Sequence, residues 1–266
     1  MGAGSEGSAS GAGAKVRLGV FKLASCDGCQ LQLLSCEDEL LALTEHVEIV
    51  SFAEATSRPD DGGPLDLTLV EGSVSTEAQR EHLQEVRARS RFLVTIGACA
   101  TAGGIQALRN GRDVGELLRV VYAQPAYVDT LAESTPVADH VPVDFSLRGC
   151  PIDKGQLLEL IGALLAGRKP AIRDESVCME CKRSGQVCVM VAKGEACLGP
   201  VTHAGCGALC PTFGRGCYGC FGPKEGAQVA ALGARFEAEG MDAETRRRRF
   251  KLFTGWAPAF REESER

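Results

Sequence analysis

The apolar positions of this chain change rhythm along its length. Between residues 15 and 167, short apolar runs alternate with amphipathic stretches, the order expected of parallel strands joined by helices. The runs at 16–23, 47–52, 65–70, 92–96 and 141–145 predict five strands. Between them, residues 30–43 carry leucines at helical spacing, and 76–89 open on Thr76 and Glu77. Residues 151–166 begin with Pro151 at a favoured first helical position, so all three stretches predict helices. The expected fold over 15–167 is a flavodoxin-like, doubly wound parallel α/β sheet.

Beyond it the pattern breaks. Residues 168–177 (RKPAIRDESV) are charged and lack an apolar period, which predicts a linker. The next 43 positions, 178–220, hold eight cysteines and eight glycines. That leaves too little aliphatic bulk for an ordinary core, so metal sites must supply the folding energy of a small irregular domain, set at 178–225. Helical periodicity returns at 228–239 and 243–253, within a C-terminal segment 226–266. The second stretch carries Arg246 to Arg249; such a run reads as a solvated face, with a partner contact as the other reading. Residues 1–14 are almost all Gly, Ala and Ser and are expected to form a disordered tail.

Composition narrows the function classes. With a formal net charge of -6 over 266 residues and a pI near 5.4, the chain is a poor match for nucleic-acid phosphates. Its start has neither the apolar core of a secretory signal nor a twin-arginine pair, and no stretch approaches membrane-span length. The cytoplasm is therefore the expected compartment. Thiols stay reduced there, so 13 cysteines point to metal binding or redox chemistry. Quartets plus one spare would account for the odd count.

Four cysteines follow predicted strands. Cys26 and Cys29 form a C-x2-C after the first, Cys99 lies in GACA after the fourth, and Cys150 in RGCP after the fifth. In a doubly wound sheet these carboxyl ends face one crevice, where distant thiolates can converge. The helices starting near Cys29 and Pro151 would aim N–H groups at that spot. Gly28, Gly97, Gly103 and Gly104 would allow close backbone approach. Taken singly, Cys99 and Cys150 read as buried small hydrophobes. Glu71, at the third strand's end, could be a proton or hydrogen-bond partner near the site, or a helix-capping carboxylate. Cys36 reads as buried and structural. Zinc would accept the same four thiolates.

The remaining eight follow C-x2-C-x6-C-x8-C-x8-C-x3-C-x6-C-x2-C, from Cys178 through Cys181, Cys188, Cys197, Cys206, Cys210 and Cys217 to Cys220. Eight ligands make two sites, and spacing alone admits zinc as well as iron and sulfur. The segments SCDGCQLQLL, VEGSVS, GACATAGG, RGCPIDK and CLGPVTHAGCGALCPTFGRGCYGC resemble the small, electron-transfer subunit of nickel-iron hydrogenases. Within that family they are similar to the delta subunit of cytoplasmic, NADP-linked, bidirectional sulfhydrogenases. The resemblance covers about residues 15–255.

It implies three 4Fe-4S clusters: a proximal one on Cys26, Cys29, Cys99 and Cys150, a distal one on Cys178, Cys181, Cys188 and Cys197, and a medial one on Cys206, Cys210, Cys217 and Cys220. Periplasmic relatives have a histidine where Cys178 stands and a three-iron medial cluster; here Cys210 offers a fourth ligand. The resemblance further implies that the nickel-iron centre belongs to a large partner subunit. Flavin and NAD(P) would lie on iron-sulfur reductase subunits, hydrogen oxidation being reversibly coupled to NAD(P)+ reduction, with sulfur reduction as a further activity. No catalytic residue is expected on this chain. GACATAGG has the wrong spacing for a dinucleotide loop. His46, His82 and His140 read as surface or loop residues, whereas His203, between Cys197 and Cys206, would either tune a cluster or be a solvated loop residue. Two other readings remain: a relative of the quinone-linked iron-sulfur subunit of complex I, and a zinc-stabilised scaffold without redox activity.

Overall fold

The computed structural model describes residues 15–266, so the expected tail at 1–14 lies outside the described residues. Five parallel strands, β1 (Val16–Lys22), β2 (Val47–Phe52), β3 (Leu65–Glu71), β4 (Ser90–Ile96) and β5 (Phe145–Leu147), form one sheet in the order β2-β1-β3-β4-β5. This is the flavodoxin-like order, with its topological switch between β1 and β3. Leu18, Val20, Leu69 and Val94 face one way. They pack against Leu33 of α1 (Gly28–Leu34) and Leu157, Leu160 and Ile161 of α6 (Lys154–Leu165). The opposite face is covered by α3 (Glu77–Arg89), whose Leu83 meets Val70 and Leu93, and whose Val86 meets Phe21 and Val50. Helix α3 starts as predicted: Thr76 accepts from the Gln79 N–H and the Gln79 side chain accepts from Thr76, a closed capping box.

Three expectations are corrected. The helix predicted at 30–43 is two, α1 and α2 (Glu37–Leu43). At the break Ser35 and Cys36 both turn their side chains onto the Gln32 carbonyl, and Glu37 takes a positive φ of 24°. The fifth strand begins at Phe145, because Val137 and Val141 are drawn into the cluster under α3. Pro151 is not in α6; it turns the loop bridged between Gly149 and Ile152, and Asp153 caps the helix by accepting from the Gln156 N–H at 2.9 Å. Between β4 and β5 the chain forms α4 (Gly97–Ala102) and the unforeseen α5 (Val114–Val121).

The cysteine-rich segment contains α7 (Val177–Arg183), α8 (Val189–Lys193) and α9 (Leu209–Thr212). It packs on three C-terminal helices: α10 (Val229–Ala238), α11 (Ala243–Phe250) and the unpredicted α12 (Pro258–Glu265). Val177, Leu198, Val201 and Ala208 share one apolar cluster with Leu232, Phe236, Phe250 and Phe260. The bulk missing from the cysteine loops thus comes from later in the chain. The arginine run is not a uniform solvated face either. Arg246 is buried and pairs with the buried Glu263, and Arg249 donates to the Ala196 carbonyl, while Arg247 and Arg248 are exposed. Among the described residues, no helix is long and apolar enough to cross a membrane.

Candidate metal centres

The first four cysteines meet where β1, β4 and β5 end. The loops after β1 and β3 are zipped by two backbone hydrogen bonds between Ala24 and Ser73, at 3.1 and 3.0 Å. The Ala98 N–H donates to Gly149 at 2.7 Å, tying the loops of Cys99 and Cys150 together. Burial pushes the Cys29 and Cys150 thiols up and takes Cys99 up to about 11; Cys99 and Cys150 each feel the charge of Cys26, and Cys29 that of Cys99 and Cys150. These thiols are thus near enough to feel one another's charge. Two glycines make room for it: a Cβ at Gly97 (φ +86°) would lie 2.3 Å from Cys29 Sγ, and one at Gly104 (φ +64°) 2.5 Å from Cys99 Sγ. Gly28 is looser, at 3.4 Å from Cys26 Sγ, and Gly103 faces Ala107 and Ser134 instead of a thiol.

Glu71, only 2% exposed, accepts from the N–H groups of Cys29 and Gln30, each at 3.2 Å. It is the cap of α1. The N–H groups expected to point freely at the site are instead engaged by this carboxylate. Burial raises the pKa of Glu71 while those hydrogen bonds oppose the rise. Cys36 is buried in the apolar core with its Sγ on the Gln32 carbonyl, away from the quartet.

Cys178 and Cys181 project from α7, the exposed Cys188 precedes α8, and Cys197 is buried. Burial takes the Cys178 thiol up to about 11, with Cys197, Cys181 and Cys188 adding to the rise. These four form the second group. Cys206, Cys210, Cys217 and Cys220 form the third: burial takes Cys217 and Cys220 up to about 12, and Cys220 feels both Cys206 and Cys210. Glu180, inside the first C-x2-C of this segment, accepts from the Gly205 N–H at 2.9 Å and the Ala208 N–H at 3.2 Å, binding α7 to the loops of Cys206 and Cys210. Nothing in the spacing pointed to it, although an acidic residue between two prospective thiolates was a signal that could have been read.

The groups adjoin in a definite sequence. Cys220 lies near enough to Cys150 to feel its charge, bringing the third group beside the first. The Cys217 N–H donates to Cys197 Sγ at 3.1 Å, joining the third to the second. His203 belongs to none of them. Its Nδ1 lies 2.7 Å from the Ala204 carbonyl oxygen and its Nε2 faces Asp174 at 3.7 Å, while burial lowers its pKa. Among the described residues no three His, Cys, Asp or Glu side chains are close enough to hold one metal ion.

The family described as the NADH ubiquinone oxidoreductase 20 Kd subunit matches residues 26–164. The chain belongs to that family. The matched residues contain the first quartet and end before the other two. Relatives within hydrogenases extend further. The Sulfhydrogenase 2 subunit delta of Pyrococcus furiosus is 40% identical over 244 residues, covering 91% of this chain and all of that protein. A subunit of the F420-non-reducing hydrogenase of Methanocaldococcus jannaschii is 32% identical, covering 78% of this chain and 82% of the relative. A chain of an NAD+-reducing [NiFe]-hydrogenase, solved in the H2-reduced state, superposes with a TM-score of 0.56 at 31% identity; the match covers 60% of this chain and 96% of that one.

Proposed function

We propose that this chain is the electron-transfer subunit of a nickel-iron hydrogenase and that its three quartets each hold a 4Fe-4S cluster. The observation that carries this reading is the succession of the groups: the Cys217 N–H donates to Cys197 Sγ, and Cys220 lies near enough to Cys150 to feel its charge. Such a row has two ends and a middle. The first quartet is then proximal, Cys206 to Cys220 medial, and Cys178 to Cys197 distal. Its family assignment and its hydrogenase relatives support the same role.

The residues fit such a group by chemistry. Each quartet supplies only thiols, the ligand set of cubane clusters. Burial holds many of these thiols above their ordinary range, and iron would offset that by accepting the thiolates. When bound, the clusters supply reversible one-electron chemistry. The chain's own part is to fix the sulfurs, exclude water around Cys29, Cys197 and Cys217, and direct backbone N–H groups at sulfur. Gly199 and Cys217 both donate to Cys197 Sγ, and Gly219 donates to Cys217 Sγ.

Every C-x2-C of the chain is used in these groups, so a large subunit carries the nickel-iron centre in this proposal. A flavin and NAD(P) partner completes it, with hydrogen oxidation reversibly coupled to NAD(P)+ reduction and sulfur reduction as a further activity. The cytoplasm is its proposed compartment. An α/β domain at 15–167, a linker at 168–177 and a two-cluster domain at 178–225 supported by residues 226–266 form its domain plan. The quinone-linked reading draws on the same family match but leaves Cys178 to Cys220 without a role. Metal analysis of anaerobically purified chain tests the proposal: about twelve irons per chain are expected, from three four-iron clusters. Stoichiometric zinc, or no absorbance bleached by dithionite, would overturn it.

A further inference from the structure

Each junction between quartets contains an arginine that the electron-transfer reading leaves without a task. At the junction of the third and second groups, Arg249 reaches in from α11. Its Nη2 donates to the carbonyl of Ala196, the residue before Cys197. Its guanidinium carbon stands 5.0 Å from the centre of the Tyr218 ring, between Cys217 and Cys220 in sequence, and Arg215 covers the same ring at 5.7 Å. A Cβ at Gly216 would fall 2.0 Å from the Ala196 oxygen and 2.8 Å from Arg249 Nη2, so only glycine leaves space for this contact. Arg249 Nε is buried with no hydrogen-bond partner.

The junction of the first and third groups is built alike. Arg148, two residues before Cys150, donates from Nη1 to the carbonyl of Pro223, three residues after Cys220, at 3.0 Å. A Cβ at Gly222 would be 3.4 Å from the same nitrogen. Arg246 and Arg248, neighbours of Arg249, have carboxylate partners. Among the described residues, neither Arg148 nor Arg249 is in an ion pair.

Neither guanidinium has a carboxylate in contact, Arg148 feeling Asp174 and Glu225 only from beyond ion-pair distance, so each half-buried cation keeps much of its desolvation cost. Two flanking quartets of thiolates, loaded with iron, would supply a counter-charge. An all-thiolate centre is anionic and becomes more so on reduction, and its net charge helps set its potential. A fixed cation nearby in a medium of low dielectric therefore favours the reduced form.

We infer that Arg249 and Arg148 are the counter-cations of the wire, each shared by the two centres it lies between, and that they raise the reduction potentials of those centres. The inference rests on the electron-transfer reading. Arg215, which is exposed, is screened by solvent and contributes less.

The test is a redox titration of anaerobically purified chain, followed by electron paramagnetic resonance, with iron content measured on the same samples. Arg249→Gln should lower the potentials of the second and third centres and leave the first in place. Arg148→Gln should lower those of the first and third and leave the second. The expected size is a tenfold fall in the ratio of reduced to oxidised centre at the unsubstituted midpoint, about 59 mV for a one-electron couple. Arg249→Lys and Arg148→Lys keep the charge and should stay near the unsubstituted values. If a Gln variant loses iron while its Lys counterpart keeps it, the inference also stands, because the charge is what separates them. Unchanged potentials at full iron content would overturn it, as would equal shifts or equal iron loss in Gln and Lys variants. An unsubstituted chain without iron overturns the electron-transfer reading and this inference together.

Discussion

The Cys217 backbone N–H points at the sulfur of Cys197 across 3.1 Å, so the second and third quartets are parts of one construction. Cys197 is buried in the cluster that joins the cysteine loops to α10–α12, and it also receives the Gly199 N–H. Cys150 differs, because the sheet core beneath it is filled by Leu18, Val20, Leu69 and Leu157 without its help. Cys150→Ser should lose about four irons per chain and remain soluble, while Cys197→Ser should lose about eight and sharply lower the soluble yield. Iron content and soluble fraction measured side by side check this; equal behaviour of the two chains would refute the division.

Gly97 offers a second check on the first site. An alanine there would place its Cβ 2.3 Å from Cys29 Sγ at a φ of +86°, which disfavours side chains in any surroundings. Gly97→Ala should therefore release about four irons and leave the remaining eight or so bound. The same substitution at Gly162, whose Cβ would meet nothing within 4 Å, should leave iron content unchanged.

What could be read in the sequence, and what could not, divides along contact distance. The first four strands came from local apolar runs, and α3 from its opening on Thr76 and Glu77. Val141 read as strand because its apolar side chain is needed, but it is needed under α3 and not in the sheet. The break at Ser35 depends on two side chains competing for one carbonyl, which no leucine period reveals. Cysteine spacing and the family resemblance are the basis on which the three groupings are proposed. Glu180, Arg148 and Arg249 were missed because each acts on a carbonyl or N–H group 25 to 75 positions away. Glu71 was noticed, and the structure selects its capping role over a free one.

His140 gives a pH dependence away from the cysteines. Its Nε2 lies 2.7 Å from Thr135 Oγ1, and burial lowers its pKa; Arg80 adds to the lowering, and Asp139 and Glu77 oppose it. A lowered imidazole pKa means that the folded chain binds the proton less readily than the unfolded one. The stability contributed is present above about pH 6.5 and is lost as pH falls below that value toward the folded pKa. His140→Gln removes this term. Between about pH 7.5 and about pH 5, the substituted chain should lose less stability than the unsubstituted one, measured as urea midpoints. Parallel losses would show that the ring does not titrate differently on folding.

The strongest stability effect is expected at the C-terminus, where Arg246 and Glu263 are paired with side chains only 5% and 3% exposed. Glu237 flanks Arg246 Nε at 2.9 Å, but it is half in solvent and cannot replace a buried carboxylate. Glu263→Ala leaves the guanidinium buried without its main partner and should cost about 3–5 kcal/mol. Replacing both members with apolar residues, as in Arg246→Met with Glu263→Leu, should recover most of that loss, because neither charge then needs solvation. Gly233 supplies an independent route to the same contact. A Cβ at that position would lie 1.9 Å from Glu263 Oε1, so Gly233→Ala must displace the carboxylate without removing it. If the pair holds α12 in place, Gly233→Ala and Glu263→Ala should each lower the thermal midpoint, and the double variant should be little worse than the worse single one. Simple addition of the two losses would mean that Gly233 and Glu263 act separately, and that the ion pair is not what fixes this helix.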